Sequence, residues 1–273
     1  MIKKFGIQAN ITKPHALECV YWIVDVLKQF DSEIVLEECT AEKLGNQDYI
    51  GDINECDMLI VLGGDGTILW TCNQFLNPPP ILGVNLGDVG FLSETDINNF
   101  EQAIRKIYKG EFSLEKRAKL TADFNGQEIS ALNEISILKT NSAQSISITA
   151  FAYNSKILSY KCDGIIISSP TGSTAYSLSA GGPILFPQVE AMVITPVCAH
   201  SCCARPIVLP SSAEIILTLD NASSLPAQIC ADGKIIVDKI EKDERIVIKS
   251  MVDFVEFIRV DEYDFFSLVT KKL

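Results

Sequence analysis

Basic residues are scarce in this chain: 23 Lys and Arg stand against 35 Asp and Glu, for a net charge of −12. A nucleic-acid surface needs cations clustered on one face or groove, so that class is excluded. A phosphate-bearing ligand must instead be drawn in locally, by backbone dipoles, a few cations and a metal ion. Long apolar runs are missing too. None approaches the roughly 20 residues needed to cross a bilayer, so no membrane-spanning helix is expected. The opening residues, Met1-Ile-Lys-Lys-Phe-Gly, have no signal-peptide core and read as a first strand, which leads to the expectation of a cytoplasmic protein. G-x-x-x-x-G-K-[ST] and G-x-G-x-x-G are both absent, so neither a P-loop nor a dinucleotide fingerprint is present. There is no internal repeat and no low-complexity tail. Nine cysteines are an odd number without regular spacing. They are expected as reduced thiols packed like small hydrophobes.

What is present is enough apolar material, 47% of 273 residues, for one large domain or two modest ones. Residues 3–9 predict a strand, and Thr12 and Pro14 a helix start. Leu17, Val20, Tyr21, Val24 and Leu27 recur at helical spacing, as on a helix lying against a sheet. Glu33 to Leu36 predicts a second strand, and 38–55 reads as a polar connection without a clear element. Asp57 to Leu62 is a buried strand, followed by a helix from Thr67 to Leu76 that Asn77-Pro-Pro-Pro80 stops. Ile81 to Asn85 is another apolar strand. Asp96 caps a helix carrying Ile97, Phe100, Ile104, Ile107 and Tyr108, which ends at Gly110. Strands alternating with helices over 110 residues argue for a parallel α/β layer. After Lys119 the texture becomes strand-like. Signals fall at 135–137, 146–152, 165–167, 190–197, 206–209, 214–219, 235–237, 245–249 and 254–260. The second half is therefore expected to be mainly β.

Two glycine-rich elements carry the chemistry. Gly63-Gly-Asp-Gly-Thr67 follows a strand and leads into a helix, the geometry in which backbone N–H groups point at phosphate. Asp65 among those glycines repels phosphate unless it holds a metal or takes a proton from an attacking group, so the turn suggests phosphoryl transfer. The second element is DGIIISSPTGSTAYSLSAGGPI, residues 163–184, with about fifteen residues of little aliphatic bulk. Gly172, Gly181 and Gly182 allow close backbone approach to a ligand. The hydroxyls of Ser173, Thr174 and Ser177 offer small donors and acceptors, and Tyr176 a flat face with a polar tip. The plainer readings are a turn Asp bonded to its own backbone and a tight loop between strands.

GGDGT at 63–67, NLGDVGFL at 85–92, Asn133-Glu134, the 163–184 run, His200, Arg205-Pro206 and Asp232-Gly233 together resemble the NAD kinases over about two hundred residues. GGDGT alone also occurs in lipid kinases and phosphofructokinases; the PTGSTAYSLSAGGP run is far more specific. The resemblance implies an α/β N-terminal domain with a parallel sheet, residues 1–115, completed by 251–273. A mainly β NAD-binding domain, 116–250, accompanies it, in a fold related to those of diacylglycerol kinase and phosphofructokinase. It implies transfer of the ATP γ-phosphate to the adenosine 2′-hydroxyl of NAD, with a divalent cation, Mg²⁺, and a homodimer or homotetramer. The site is expected between the domains.

Residue by residue, the resemblance makes Asp65 the base and Gly63, Gly64, Gly66 and Thr67 the ATP phosphate contacts. Asp65, Gly66, Asn133, Glu134, Lys161, Asp163, Thr174, Ala175, Tyr176, Ser177, Leu178 and Ser179 match NAD-lining positions. Lys161 stands where the family often has Arg, and Lys234 where Gln is frequent. Without the resemblance, Asn133-Glu134 reads as an exposed strand start. Cys198, His200 and Cys202 alternate, and on one strand face they offer three metal ligands where structural zinc needs four. The reading preferred here is cysteines substituted into a packed strand. The rival functions are a diacylglycerol-type lipid kinase and a dinucleotide sensor without catalysis.

Overall fold

The computed structural model describes residues 2–272 apart from 76, 88–89, 142, 202, 221–226, 243 and 263, and for 251–253 the backbone. The chain divides into two compact units, Met1–Lys116 with Val255–Leu273, and Arg117–Phe254.

The first unit alternates β1 (Lys4–Ala9), α1 (Ala16–Lys28), β2 (Glu33–Leu36), α2 (Glu38–Leu44), β3 (Met58–Gly63), α3 (Asp65–Gln74), β4 (Ile81–Asn85), β5 (Thr95–Asp96) and α4 (Phe100–Tyr108). β2, β1, β3 and β4 lie side by side, all parallel, and Phe257 extends the layer by pairing with Ile81. Both faces are covered, so β3 is buried along its whole length, as parallel strands are. α1 buries Val20, Ile23, Val24 and Leu27, each contributing up to about 1.5–3 kcal/mol.

Three local readings need correction here. α1 begins at Ala16 rather than at Thr12 or Pro14, because Asn10 Oδ1 takes the Thr12 N–H and hydroxyl, and His15 before the helix is left-handed at φ 59°. The stretch 38–55 is not structureless. Glu37 accepts from the Cys39 and Thr40 N–H groups and starts α2, and two short 3₁₀ turns, Gln47–Tyr49 and Ile53–Glu55, follow. Most consequentially, α3 begins at Asp65, two residues earlier than predicted. Asp65 therefore stands in the first turn of a helix.

The second unit holds β7 (Gln127–Ala131), β8 (Glu134–Lys139), β9 (Ile146–Ala152), β10 (Ser155–Cys162), β11 (Gly164–Ser168), α5 (Tyr176–Ser179), β12 (Ala191–Val197), β13 (Ile207–Pro210), β14 (Ile215–Leu219), β15 (Ala227–Ala231) and β16 (Lys234–Ile240); β6 (Ser113–Phe124) and β17 (Arg245–Arg259) contribute residues to both units, and α6 (Phe265–Lys272) belongs to the first. One antiparallel sheet runs β13-β12-β11-β8-β15-β16, and another includes β10-β9-β14-β17. Alternate residues of both, among them Ile135, Ile137, Ile148, Ile165, Ile194, Ile215 and Ile248, meet in one core. The β6–β7 hairpin, β10 and β15 had no predicted strand. The signals at 245–249 and 254–260 are one strand.

Two predictions about cysteine also change. Cys56 and Cys162 are buried, and burial pushes both thiols up to about 11, as expected for inert small hydrophobes. Cys39, Cys198 and Cys203 are exposed. β12 stops at Val197, and Cys198 takes φ 47°, so Cys198 and His200 do not share a strand face. Cys202 lies outside the described residues, among which no group of three His, Cys, Asp or Glu is placed to hold a metal.

Candidate active site

In the first unit the site is built where β3 turns into α3. Gly64 is the last extended residue, at φ −115° and ψ −173°, and the helix starts without a side-chain cap. The N–H groups of a first helical turn have no intrahelical acceptor and carry the positive end of the dipole. Around them the glycines divide by role. A Cβ on Gly63 would lie 2.2 Å from Thr67 Oγ1, so Gly63 is bare to let α3 pack on β3, not to admit a ligand. A Cβ on Gly66 meets nothing within 4 Å, which leaves that turn open. Beside Gly64, Lys13 Nζ comes within 3.6 Å of the position a Cβ would take. It brings a cation to the helix N-terminus.

Asp65 is held firmly. Its Oδ2 accepts the Phe91 N–H at 2.8 Å and its Oδ1 the Leu92 N–H at 3.1 Å. Each carboxylate oxygen has a second lone pair, so the clamp orients the group while leaving an acceptor site on each oxygen. The neighbouring Gly90 N–H bonds Ser93 Oγ at 3.1 Å. Next to the same helical turn lies a cavity of about 280 Å³, lined by Asn10, Glu37, Gly66, Thr67 and half-exposed Trp70 among others. Asn10 Nδ2 donates to Thr67 Oγ1, tying the end of β1 to the helix start.

In the second unit the predicted residues gather around the start of β8. Asn133 and Glu134 are not exposed: they are 9% and 6% accessible. Asp232, in the tight β15–β16 turn with φ 45°, reaches back to them. Its Oδ2 accepts the Leu132 N–H at 2.8 Å, and its Oδ1 those of Asn133 and Glu134 at 2.7 and 3.1 Å. Glu134 is pushed up to about 7, mainly by burial and next by the Asp232 charge, while a bond from the Tyr176 backbone N–H opposes both. Its Oε2 is buried without a hydrogen-bond partner. Tyr176 opens α5 and is 37% exposed. Burial raises the Tyr176 phenol above its usual value.

The glycine- and serine-rich run is a folded cap rather than a loop of spare hydroxyls. Thr171–Thr174 form a 3₁₀ turn that leads into α5. Ser173 Oγ bonds Pro170 O at 2.6 Å and accepts the Leu185 N–H, and Ser177 Oγ pairs with Thr195 Oγ1 at 2.8 Å; both serines are fully buried. Thr174 Oγ1 bonds Thr171 O. A Cβ on Gly172 would sit 2.0 Å from Asn133 O, and one on Gly182 2.3 Å from Ser177 Oγ. The expectation that Gly172, Gly182 and the hydroxyls of Ser173 and Ser177 face a ligand is therefore corrected: Gly172 packs on Asn133, Gly182 and Ser177 on Thr195 of β12, and Ser173 ties the cap together. Half-buried Thr174 and exposed Gly181 stay at the surface of the cap. What the cap presents outward is Tyr176 and Ser179, with Ala175 and Leu178 half-buried.

Asp163 has a cation beside it. Lys139 Nζ sits 2.6 Å from its Oδ1, whereas Lys161 is exposed on β10. Sequence reading missed Lys139, Lys13, Trp70 and the amide donors of Phe91 and Leu92. The Gly87–Leu92 motif was visible, but nothing in it signals that its backbone grips a carboxylate.

Residues 5–112 match the model of the ATP-NAD kinase N-terminal domain, and residues 132–260 that of the ATP-NAD kinase C-terminal domain. An NAD kinase of Thermoanaerobacter sp. (strain X514) is 40% identical over 100% of this chain and 99% of its own length; one from Lachnoclostridium phytofermentans is 32% identical over 99% of each. Among solved structures, yeast NADH kinase complexed with NADH superposes with a TM-score of 0.89 at 25% identity, covering 99% of this chain and 87% of that one. An NAD kinase from Archaeoglobus fulgidus in complex with ATP gives 0.80 at 26%, covering 98% of both. The α/β layer with its GGDGT helix start, the mainly β unit with its capped Asn133-Glu134 pair, and these full-length matches lead to one assignment: this chain belongs to the ATP-NAD kinase family.

Proposed function

We propose that the protein phosphorylates NAD at the adenosine 2′-hydroxyl, with ATP as donor, to make NADP. The observation that carries this reading is the carboxylate of Asp65, fixed by two backbone amides in the first turn of a helix whose N-terminus also has Lys13 beside it. A helix N-terminus with a cation suits phosphate, and an oriented carboxylate there suits removal of a proton. In the reaction, Asp65 takes the 2′-hydroxyl proton, the ribose oxygen forms a bond to Pγ, and the Pγ–O bond to the β-phosphate breaks, releasing ADP. A carboxylate is a weak base for an alcohol, so positioning and charge neutralisation supply most of the acceleration.

The donor nucleotide is assigned to the cavity beside α3, with its base against Trp70 and its phosphates at Gly64, Gly66, Thr67 and Lys13. The ATP bound by the Archaeoglobus relative supports a nucleotide donor. The acceptor is assigned to the second unit: Asn133, Glu134, Asp163, Ala175, Tyr176 and Ser179 contact the dinucleotide, with Lys139 rather than Lys161 setting the charge around Asp163. The NADH in the yeast relative supports a dinucleotide there. A Mg²⁺ ion would be held by the nucleotide phosphates, and there it would neutralise charge on the transferred group. Ile184, Phe186, Val189 and Val208 are large apolar side chains exposed on the second unit, and they support a homodimer or homotetramer. No described helix is long and apolar enough to cross a membrane; the cytoplasm is the compartment proposed.

The test is incubation of purified protein with ATP, Mg²⁺ and NAD, with assay for NADP. Turnover of diacylglycerol but not NAD would favour the lipid-kinase reading. NAD binding without NADP would favour a sensor.

A further inference from the structure

Glu134 is placed in an unusual way for a residue that meets an anionic ligand. Its side chain is 6% exposed, and Oε2 has no hydrogen-bond partner. Ser168, opposite it in the β8–β11 ladder, does not bond it either, since the buried Ser168 Oγ is also without a partner. Asp232, whose Oδ1 holds the Glu134 N–H, is a second carboxylate at the same point and accepts three backbone amides. The other titratable groups near this point belong to Tyr176 on α5 and, around that ring, Asp163, Cys198 and Cys230. The buried Arg117 approaches from β6, its Nη1 donating to Thr171 Oγ1 beside the Gly172 that packs on Asn133. Lys139 is engaged with Asp163.

Two carboxyls in one buried corner do not both ionise readily. Asp232 accepts three amides; Glu134 has the Tyr176 amide alone, set against its burial and the Asp232 charge. Adding NAD, with its two phosphates, removes water and adds negative charge, and both effects favour a neutral Glu134. Resting on the assignment of the second unit as the acceptor site, we propose that Glu134 meets the bound dinucleotide as the neutral acid, donating from Oε2 to an acceptor atom on the ligand, while Asp232 keeps the charge. Glu134 then reads the ligand as a hydrogen-bond donor. In the free protein burial already places its titration at about 7, so the change falls in an accessible pH range.

The test is titration calorimetry of NAD into the whole protein, in buffers of different ionisation enthalpy, from about pH 6 to about pH 8.5. Binding should take up a proton from the buffer on the alkaline side, approaching one per site, and Kd should rise towards about tenfold per pH unit above neutrality. Glu134→Gln keeps an N–H donor and should abolish both the uptake and the pH dependence. Glu134→Ala should weaken binding about tenfold across the range. Proton release on binding, or binding with no proton change, overturns the proposal. So does Glu134→Gln behaving like Glu134→Ala. No NAD binding at any pH removes the acceptor assignment itself, and this inference with it.

Discussion

A methyl group on Gly90 would lie 1.8 Å from Asp65 Oδ1. Gly90 is therefore bare because the carboxylate occupies the space where a side chain would be, and the two following amides close on it. Gly90→Ala should push Asp65 off its amides. The expected cost is about 1–3 kcal/mol of stability, as for other overpacked sites. Turnover should fall by about 10²-fold, since a misplacement of about an ångström is enough for that, while KM for NAD changes little. In an Asp65→Ala background the added methyl has nothing charged to displace, so the stability cost should largely vanish. A double-mutant cycle by thermal melting and steady-state kinetics checks this. Equal costs in both backgrounds would sink the relationship.

Asp65→Asn separates base from clamp. The Asn carbonyl can still accept one of the two amides, so the fold should survive with a loss of about 1 kcal/mol. Its amide takes no proton from an alcohol, and turnover should drop about 10²–10⁴-fold. A variant that melts like the wild type and turns over at near wild-type rate would remove Asp65 from the chemistry.

Glu134 also sets a pH dependence of stability in the absence of ligand. Its folded-state value, about 7, lies above the ordinary 4.5. The folded state thus favours the proton, and the associated stability is fully present below about pH 4.5. It is lost as pH rises through 7. The loss is up to about 3 kcal/mol. Glu134→Gln should show no such decline and should melt above the wild type at about pH 8. Guanidinium melts of both proteins from about pH 5 to 8 are the check, and parallel pH profiles would contradict the burial argument.

Much of the framework was legible because it rests on local pattern. The apolar stretch of β3, the helical spacing of Val20, Val24 and Leu27, and the alternation of Ile146 and Ile148 each announce their element. The site was less legible because its controlling bonds are distant in sequence. Asp65 is 26 residues from Phe91, and Asp232 is 100 from Leu132. Composition misled where small residues were read as ligand lining. Ser173 and Ser177 are small because they are buried in a cap, and their hydroxyls serve that cap. The start of α3 was misplaced because Gly64-Asp65-Gly66 looks like a loop; the helix begins there because Asp65 suits the positive end of the dipole.

The donor side can be tested by separating base from phosphate. Trp70 lines the cavity with the open turn at Gly66, and Lys13 reaches Gly64. If Trp70 carries the base, Trp70→Ala should raise KM for ATP by about tenfold or more, given that ring–base stacking is worth about 1–3 kcal/mol. It should not change the use of a donor that has no base. Lys13→Ala removes charge from the phosphate end and should impair every phosphate donor alike. Steady-state assays with ATP and with inorganic polyphosphate, for each variant, give four comparisons. If polyphosphate supports turnover, Trp70→Ala should affect ATP alone and Lys13→Ala both donors. If it supports none in the wild type, the base is essential, and Trp70→Ala should lower kcat/KM for ATP while Lys13→Ala lowers it further at low salt than at high. An ATP KM unmoved by Trp70→Ala would mean that the base lies elsewhere, and the cavity beside α3 would lose its assignment.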